Sequence, residues 1–241
     1  MAWDSAGQIV SDAFVELKLG PANTDPYASN DPNLIQLCAY LKSWGRKVVA
    51  SRQWTHLVKE FTITTVTGTY SYALPTDFGA MQPETGWNRT SGLPLGGGLI
   101  GEQWQQLSAR LGNVSIRLPY RVWQGSLQFP STMTVPNAQT LVLEYRTGWF
   151  ASAAAGTTPT KEAPTLSTDL VFIDASLMVC ALKLAWKRDS GFDTGAAQDD
   201  YDDALEGAFN ADSADAGVLN TARLPIGEHF LDGNNCPLVL G

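Results

Sequence analysis

Phe61-Thr62-Ile63-Thr64-Thr65-Val66-Thr67-Gly68-Thr69-Tyr70-Ser71-Tyr72-Ala73-Leu74 is where the hydrophobic period of this chain changes. Phe61, Ile63 and Thr65 alternate with Thr62, Thr64 and Val66, the two-residue repeat of a half-buried strand. Thr67-Gly68 suits a turn, and Tyr70–Leu74 is expected to run back as a hairpin partner until Pro75 stops it. Further strands are expected at Val114–Leu118, Tyr120–Trp123, Leu127–Phe129 and Leu141–Tyr145, with a short helix or turns at Glu102–Leu111. Residues 59–150 therefore read as an antiparallel β domain.

On the N-terminal side of this block the period is helical. Ile9, Ala13, Val15, Leu17 and Leu19 mark a short helix over 8–19, stopped by Gly20-Pro21. Asp31-Pro32 supplies a cap and a proline suited to the first helical position. Leu34, Cys38, Leu41, Trp44 and Val48 then recur every three or four residues, predicting a helix over about 33–54 with Lys42, Arg46 and Lys47 on its other face.

On the C-terminal side, Ala151 to Pro164 is small, polar and proline-containing, so residues 151–166 read as a linker. A helix is expected from Ser167-Thr168-Asp169 to Arg188. Its stripe of Leu170, Ile173, Leu177, Ala181 and Leu184 is flanked by Val171, Met178, Leu182 and Trp186, too broad for one neighbour to cover. Such a helix sits centrally in a bundle or lies against another subunit. A second helix over about 194–213 sets Tyr201, Leu205 and Phe209 against Asp199, Asp202, Asp203 and Glu206. From Asp215 on, Gly, Pro and Asn recur, and 215–241 reads as an extended arm. The expected architecture is α+β: a bundle from helices in 1–58 and 167–214, an inserted antiparallel β domain, and a C-terminal arm.

Charge divides the chain unevenly. Residues 1–191 carry 15 Lys and Arg against 14 Asp and Glu, whereas 192–241 carry Arg223 alone against ten acids. A segment this anionic does not grip nucleic acid, because phosphates find no ion-pair partners on it. Met1-Ala2-Trp3-Asp4 lacks a secretory pattern, and the apolar run Leu170–Trp186 is interrupted by Asp174 and Lys183, so the expectation is a soluble protein made in the cytoplasm, without membrane contact. Cys38, Cys180 and Cys236 form no CxxC pair and read as reduced structural residues.

Signals for chemistry are sparse. Gly96-Gly97-Gly98-Leu99-Ile100-Gly101 matches GxGxxG, but Arg121 stands near the position where a dinucleotide site needs an acid, so a flexible loop is the better reading. His56 and His229 have no metal-ligand spacing, and no serine sits in GxSxG. Glu60, Asp77, Glu84 and Glu102 are candidates for a two-carboxylate hydrolase, yet no spacing pairs any two of them. Asp199-Asp200-Tyr201-Asp202-Asp203 lacks the glycine and terminal Glu of an EF-hand loop. No cofactor, metal or catalytic residue is assigned.

Tyr72-Ala73-Leu74-Pro75-Thr76-Asp77-Phe78, following its strand pair, resembles an element of the neck proteins of tailed bacteriophages. The order of a helix pair, this β segment, a long helix and an acidic helix is similar to the head-to-tail adaptors of short-tailed phages. That resemblance implies a structural virion protein at the head–tail junction, assembled in the host cytoplasm. It implies a ring, dodecameric in that family, docked beneath the portal protein, extending the DNA channel and receiving nozzle, tail-tube or fibre proteins. Under it, Leu177, Leu184 and Trp186 are the expected subunit-packing anchors. Asp199, Asp202, Asp203 and Glu206 would line a channel that passes double-stranded DNA without tight binding. Leu224, Pro225, Phe230 and Leu231 would belong to the docking arm. Alternatives are another neck or tail-tube component (head completion or tail terminator), a virion-associated peptidoglycan hydrolase, and a cytoplasmic binding module with an acidic, solubilising tail.

Overall fold

The computed structural model describes residues 3–109 and 117–221, with side chains described as far as Asp212. The protein combines α-helices with antiparallel sheet, an α+β composition. Its described residues form two compact units. One draws on the chain up to His56 and from Ile173 onward, and the other is Leu57–Phe172.

The first unit is helical. Helix α1 (Ala6–Glu16) begins at Ser5, whose hydroxyl accepts from the Gln8 amide at 3.2 Å, and it buries Ile9, Val10, Ala13 and Phe14. Helix α2 (Pro32–Ser51) starts as its sequence predicts, with Asp31 accepting from the Asn33 amide at 2.8 Å and Pro32 in the first turn. It buries Leu34, Leu37, Cys38, Leu41, Trp44 and Val48, and it ends three residues earlier than expected. Trp54 lies beyond it, donating its indole N–H to the Val48 carbonyl at 2.9 Å.

Helix α4 (Ala175–Asp189) is shorter than the predicted 168–188. Asp174, not Asp169, is its cap, accepting from the Leu177 amide at 3.0 Å. Leu170 and Val171 belong instead to a strand. The broad stripe has a simple cause: α4 packs against α1, α2 and the following helix α5 (Gly195–Thr221), so three of its sides are covered within the same chain. Lys183 reaches Glu16 of α1 at 2.8 Å, and Asp189 accepts from Gln36 and Tyr40 of α2 at 2.9 and 2.5 Å.

The second unit holds all the sheets among the described residues. Strand β1 (Val58–Thr64) pairs antiparallel along its length with β8 (Thr140–Thr147). On the other side of β8 lie β3 (Phe78–Met81) and β4 (Trp87–Asn88), with β5 (Leu93–Pro94) beyond β4. A separate sheet runs β2 (Ser71–Ala73), β7 (Ser126–Gln128), β6 (Arg121–Trp123). Helix α3 (Gly101–Ala109) meets the expectation of a short helix. Between the sheets, Ile63, Leu95, Tyr120, Leu127, Phe129, Val135, Leu141 and Leu143 form the core.

Two expectations are corrected here. The predicted hairpin is absent: the turn forms, with Thr69 donating to the Val66 carbonyl at 3.0 Å, but β1 and β2 enter different sheets. β8 offers β1 a long partner whose Leu141 and Leu143 share its inward face, more buried area than the short β2 could provide. Residues 151–166 are folded into the β unit and do not form a linker. Strand β9 (Ala151–Ser152) pairs with β10 (Leu170–Val171), and Lys161 exchanges backbone bonds with Ala151. Buried Asp169 fastens this segment, accepting from Lys161 at 2.7 Å and from the Thr165 and Leu166 amides at 2.8 and 3.1 Å.

Candidate functional site

Helix α5 carries the anionic surface. Its apolar side is held by its own unit: Ala197 is buried, Tyr201 meets Trp44 edge-on at 5.4 Å, and Phe209 meets Trp54 at 6.3 Å. In its second half, buried Asp212 accepts from the Thr55 amide and hydroxyl at 2.7 and 2.8 Å and lies 2.9 Å from His56 Nδ1. Burial alone would raise this carboxyl, but the bonds from His56 and Thr55 outweigh it and hold Asp212 below the usual carboxylate range.

With that side fixed, Asp199, Asp200, Asp202, Asp203 and Glu206 all face solvent. Glu206 pairs with Arg52, and Asp202 accepts from Gln198 at 2.9 Å. Asp199 and Asp203 make no ion pair among the described residues, while Asp200 lies close enough to Lys183 to favour the charged ammonium. The four predicted lining residues thus do share one exposed stretch of helix. Asp199 with Asp203, and Asp202 with Glu206, are like charges four apart, so the helix tolerates this face and is not stabilised by it.

The predicted packing anchors divide. Leu177 and Leu184 are 0% exposed within their own chain and have no surface left to offer a neighbour. That assignment is corrected: their breadth of contact belongs to α1, α2 and α5. Trp186 is half-buried and stacks on the exposed Phe192 at 5.8 Å, the rings only 13° from parallel. Residues 222–241, with Leu224, Pro225, Phe230 and Leu231, lie outside the described residues. Residues 215–221, expected in the arm, continue helix α5.

Four residues of the Tyr72–Phe78 motif, Tyr72, Pro75, Asp77 and Phe78, have structural tasks in the β unit. Tyr72 meets Phe129 edge-on at 5.9 Å, and its hydroxyl accepts from the Val66 amide at 2.9 Å. Pro75 opens a turn closed by the Phe78 amide at 3.0 Å, and Phe78 stacks on Tyr145 at 5.7 Å. Asp77 is buried, accepting from Lys59 at 2.6 Å and from the Tyr145 hydroxyl at 2.8 Å. Lys59 also donates to the Pro159 carbonyl at 2.9 Å. Burial would raise the Asp77 carboxyl; bonds from Lys59, Tyr145 and Thr147 together bring it below its ordinary value. The following Gly79 is required, since a Cβ there would stand 2.8 Å from the Arg146 carbonyl oxygen.

The other candidate carboxylates do not gather around a reacting centre. Glu60 is exposed and paired with Arg89 at 2.5 Å, Glu84 occupies a turn at φ +62°, and Glu102 lies in the first turn of α3. The glycine loop does precede α3, but β5 before it is a short strand in an antiparallel pair. Two of the loop amides are spent on backbone, Gly96 to Leu118 at 2.9 Å and Leu99 to Tyr120 at 2.8 Å, and that of Ile100 on the Gln103 side-chain carbonyl at 3.3 Å. Burial pushes the Cys38 thiol up to about 11 and raises that of Cys180, which quiets both as nucleophiles. Among the described residues no His, Cys, Asp and Glu group could hold a metal ion, and no helix is long and apolar enough to cross a membrane.

Two acids outside the expected candidates take fixed places, Asp212 of α5 and Glu144 of β8. Glu144 of β8 stands directly opposite Glu60 of β1. Its signal was an exposed acid in the apolar run Leu141-Val142-Leu143-Glu144-Tyr145.

No protein-family model matches the chain, and no curated protein matches it.

Proposed function

We propose that this protein is a head-to-tail adaptor of a tailed bacteriophage, a non-enzymatic ring component that docks beneath the portal protein. In this reading the helices of the two chain ends form the bundle, Leu57–Phe172 is the inserted β domain, and the residues after Thr221 form the docking arm. The ring, dodecameric by the family resemblance, extends the DNA channel and offers tail proteins a platform.

The observation that carries the reading is the acidic face of α5. Asp199, Asp200, Asp202, Asp203 and Glu206 are exposed together on a helix whose opposite side is pinned by Trp44, Trp54 and Thr55. A fixed anionic wall gives passing DNA no phosphate partners, so the duplex slides without sticking. Heterologous contacts between identical chains close into rings where the rotation allows, and the stacked Trp186 and Phe192 supply an exposed apolar spot for one.

Electron microscopy of the purified protein mixed with purified portal rings tests the assignment. Added density beneath the portal in copies matching its symmetry is the expected result. Portal rings that stay bare, or a protein that clears peptidoglycan in a zymogram, would remove it. A truncation lacking residues 222–241 should keep its fold yet fail to decorate the portal.

A further inference from the structure

The outer face of the β1–β8 sheet holds a hollow of about 510 Å³ lined by Glu60, Thr85, Trp87, Arg89, Val142 and Glu144 among others. Trp87 forms its wall. The residue is held on both sides by backbone pairing, to Val142 of β8 and Pro94 of β5, yet remains 44% exposed. An indole carried on a backbone paired at both sides and left open to water is a ready stacking surface.

Charge decides what would stack there. Glu60 and Glu144 are direct cross-strand partners, and like charges so placed oppose strand pairing. Arg89 compensates Glu60 at 2.5 Å. Glu144 makes no ion pair among the described residues, although its backbone is fixed by Gln82, whose amide donates to its carbonyl at 2.9 Å, and by Thr85, which accepts its amide at 3.1 Å. Arg146 alternates onto the same face of β8 but does not line the hollow. The hollow therefore pairs an open aromatic face with one uncompensated carboxylate.

We propose that this hollow is a recognition site for a basic side chain, an arginine first, presented by a partner polypeptide. The guanidinium would lie over Trp87 and pair with Glu144, as Arg89 already pairs with Glu60 beside it. Such a group gains a cation–π contact and a charge-assisted hydrogen bond together, and it relieves the repulsion across β1 and β8. A phosphate or other anion would meet Glu144 unfavourably. The site lies in the β unit and is independent of the α5 face, so its failure would leave the adaptor reading standing.

The test is titration of the full chain with argininamide, followed through the indole N–H signals in two-dimensional NMR, with Trp87 identified by its loss in Trp87→Phe. The Trp87 signal should move saturably, while that of Trp123, half-exposed on β6, stays still, and glutamine amide should move neither. Glu144→Gln should weaken argininamide binding by about fivefold, the scale of one exposed cation contact. The same variant should melt no lower than the wild type, because the carboxylate it removes is opposed by Glu60. A stationary Trp87 signal, unchanged affinity in Glu144→Gln, or a lower melting temperature in that variant would each overturn the proposal.

Discussion

Asp212 of α5 accepts from the Thr55 amide at 2.7 Å and lies 2.9 Å from His56 Nδ1, so one carboxylate ties the far part of the last helix to the segment that follows α2. Asp212→Ala removes the acceptor of the Thr55 amide and hydroxyl, and because Thr55 is itself exposed the loss should be that of ordinary hydrogen bonds, about 0.5–1.5 kcal/mol. Urea unfolding followed by helical circular dichroism measures this directly. A loss within error of zero would mean that the Tyr201 and Phe209 contacts hold α5 unaided.

Acid should destabilise both units for a related reason. Asp77, Asp169 and Asp212 are each below their ordinary range when folded. A carboxyl depressed by folding contributes stability that is fully present above its unfolded value and lost as pH falls through the folded one. The melting temperature should therefore hold steady near neutrality and drop progressively below about pH 4, where unfolded carboxyls begin to take up protons. Asp77→Asn should flatten that fall, and a melting curve that declines equally in this variant would assign the acid lability elsewhere.

Leu177 separates a core role from an interface role. Leu177→Ala creates a cavity in the core of the helical unit and should cost about 2–5 kcal/mol. The loss should be the same at every protein concentration, since the side chain is enclosed within one chain. A destabilisation that appears only where the protein self-associates would contradict that placement.

The acidic face should respond in the opposite sense. Asp199→Asn combined with Asp203→Asn removes a like-charge pair four residues apart and should raise stability by about 0.2–0.5 kcal/mol at low salt. The gain should shrink in concentrated salt, which screens exposed charges. Thermal melts at two ionic strengths are sufficient, and a destabilised double variant would show that these carboxylates have partners.

The helices were legible where a cap and a period agree. Asp31-Pro32 followed by Leu34, Cys38, Leu41, Trp44 and Val48 leaves little choice of structure. The start of α4 was not, because Asp169 and Asp174 are both good caps and Leu170-Val171 suits strand or helix equally. Tertiary context decides: Asp169 is used by Lys161, Thr165 and Leu166, which leaves Asp174 to cap. Strands β1, β2, β6, β7 and β8 were legible, whereas the short β3, β4, β5, β9 and β10 were not, and the expected strand Val114–Leu118 lies largely outside the described residues. The pairing of β1 with β8 was hidden too, because the local turn at Thr67-Gly68 carries no information about a distant partner. For the same reason Glu60 was visible as an acid while its position opposite Glu144 was hidden, since register across a sheet is written in neither strand alone. The acidic face of α5 was fully legible, being set by spacing within one helix.

That the helical unit is assembled from both ends of the chain governs its birth on the ribosome. Segment Leu57–Phe172 contains all its own strands and is free to fold while translation continues. Helices α1 and α2 emerge earlier but have to wait for α4, with Ile9, Phe14, Leu37 and Leu41 uncovered meanwhile. Nascent chains arrested before Ala175 should accordingly recruit chaperones at their N-terminal helices, and that dependence should vanish once synthesis passes Thr221.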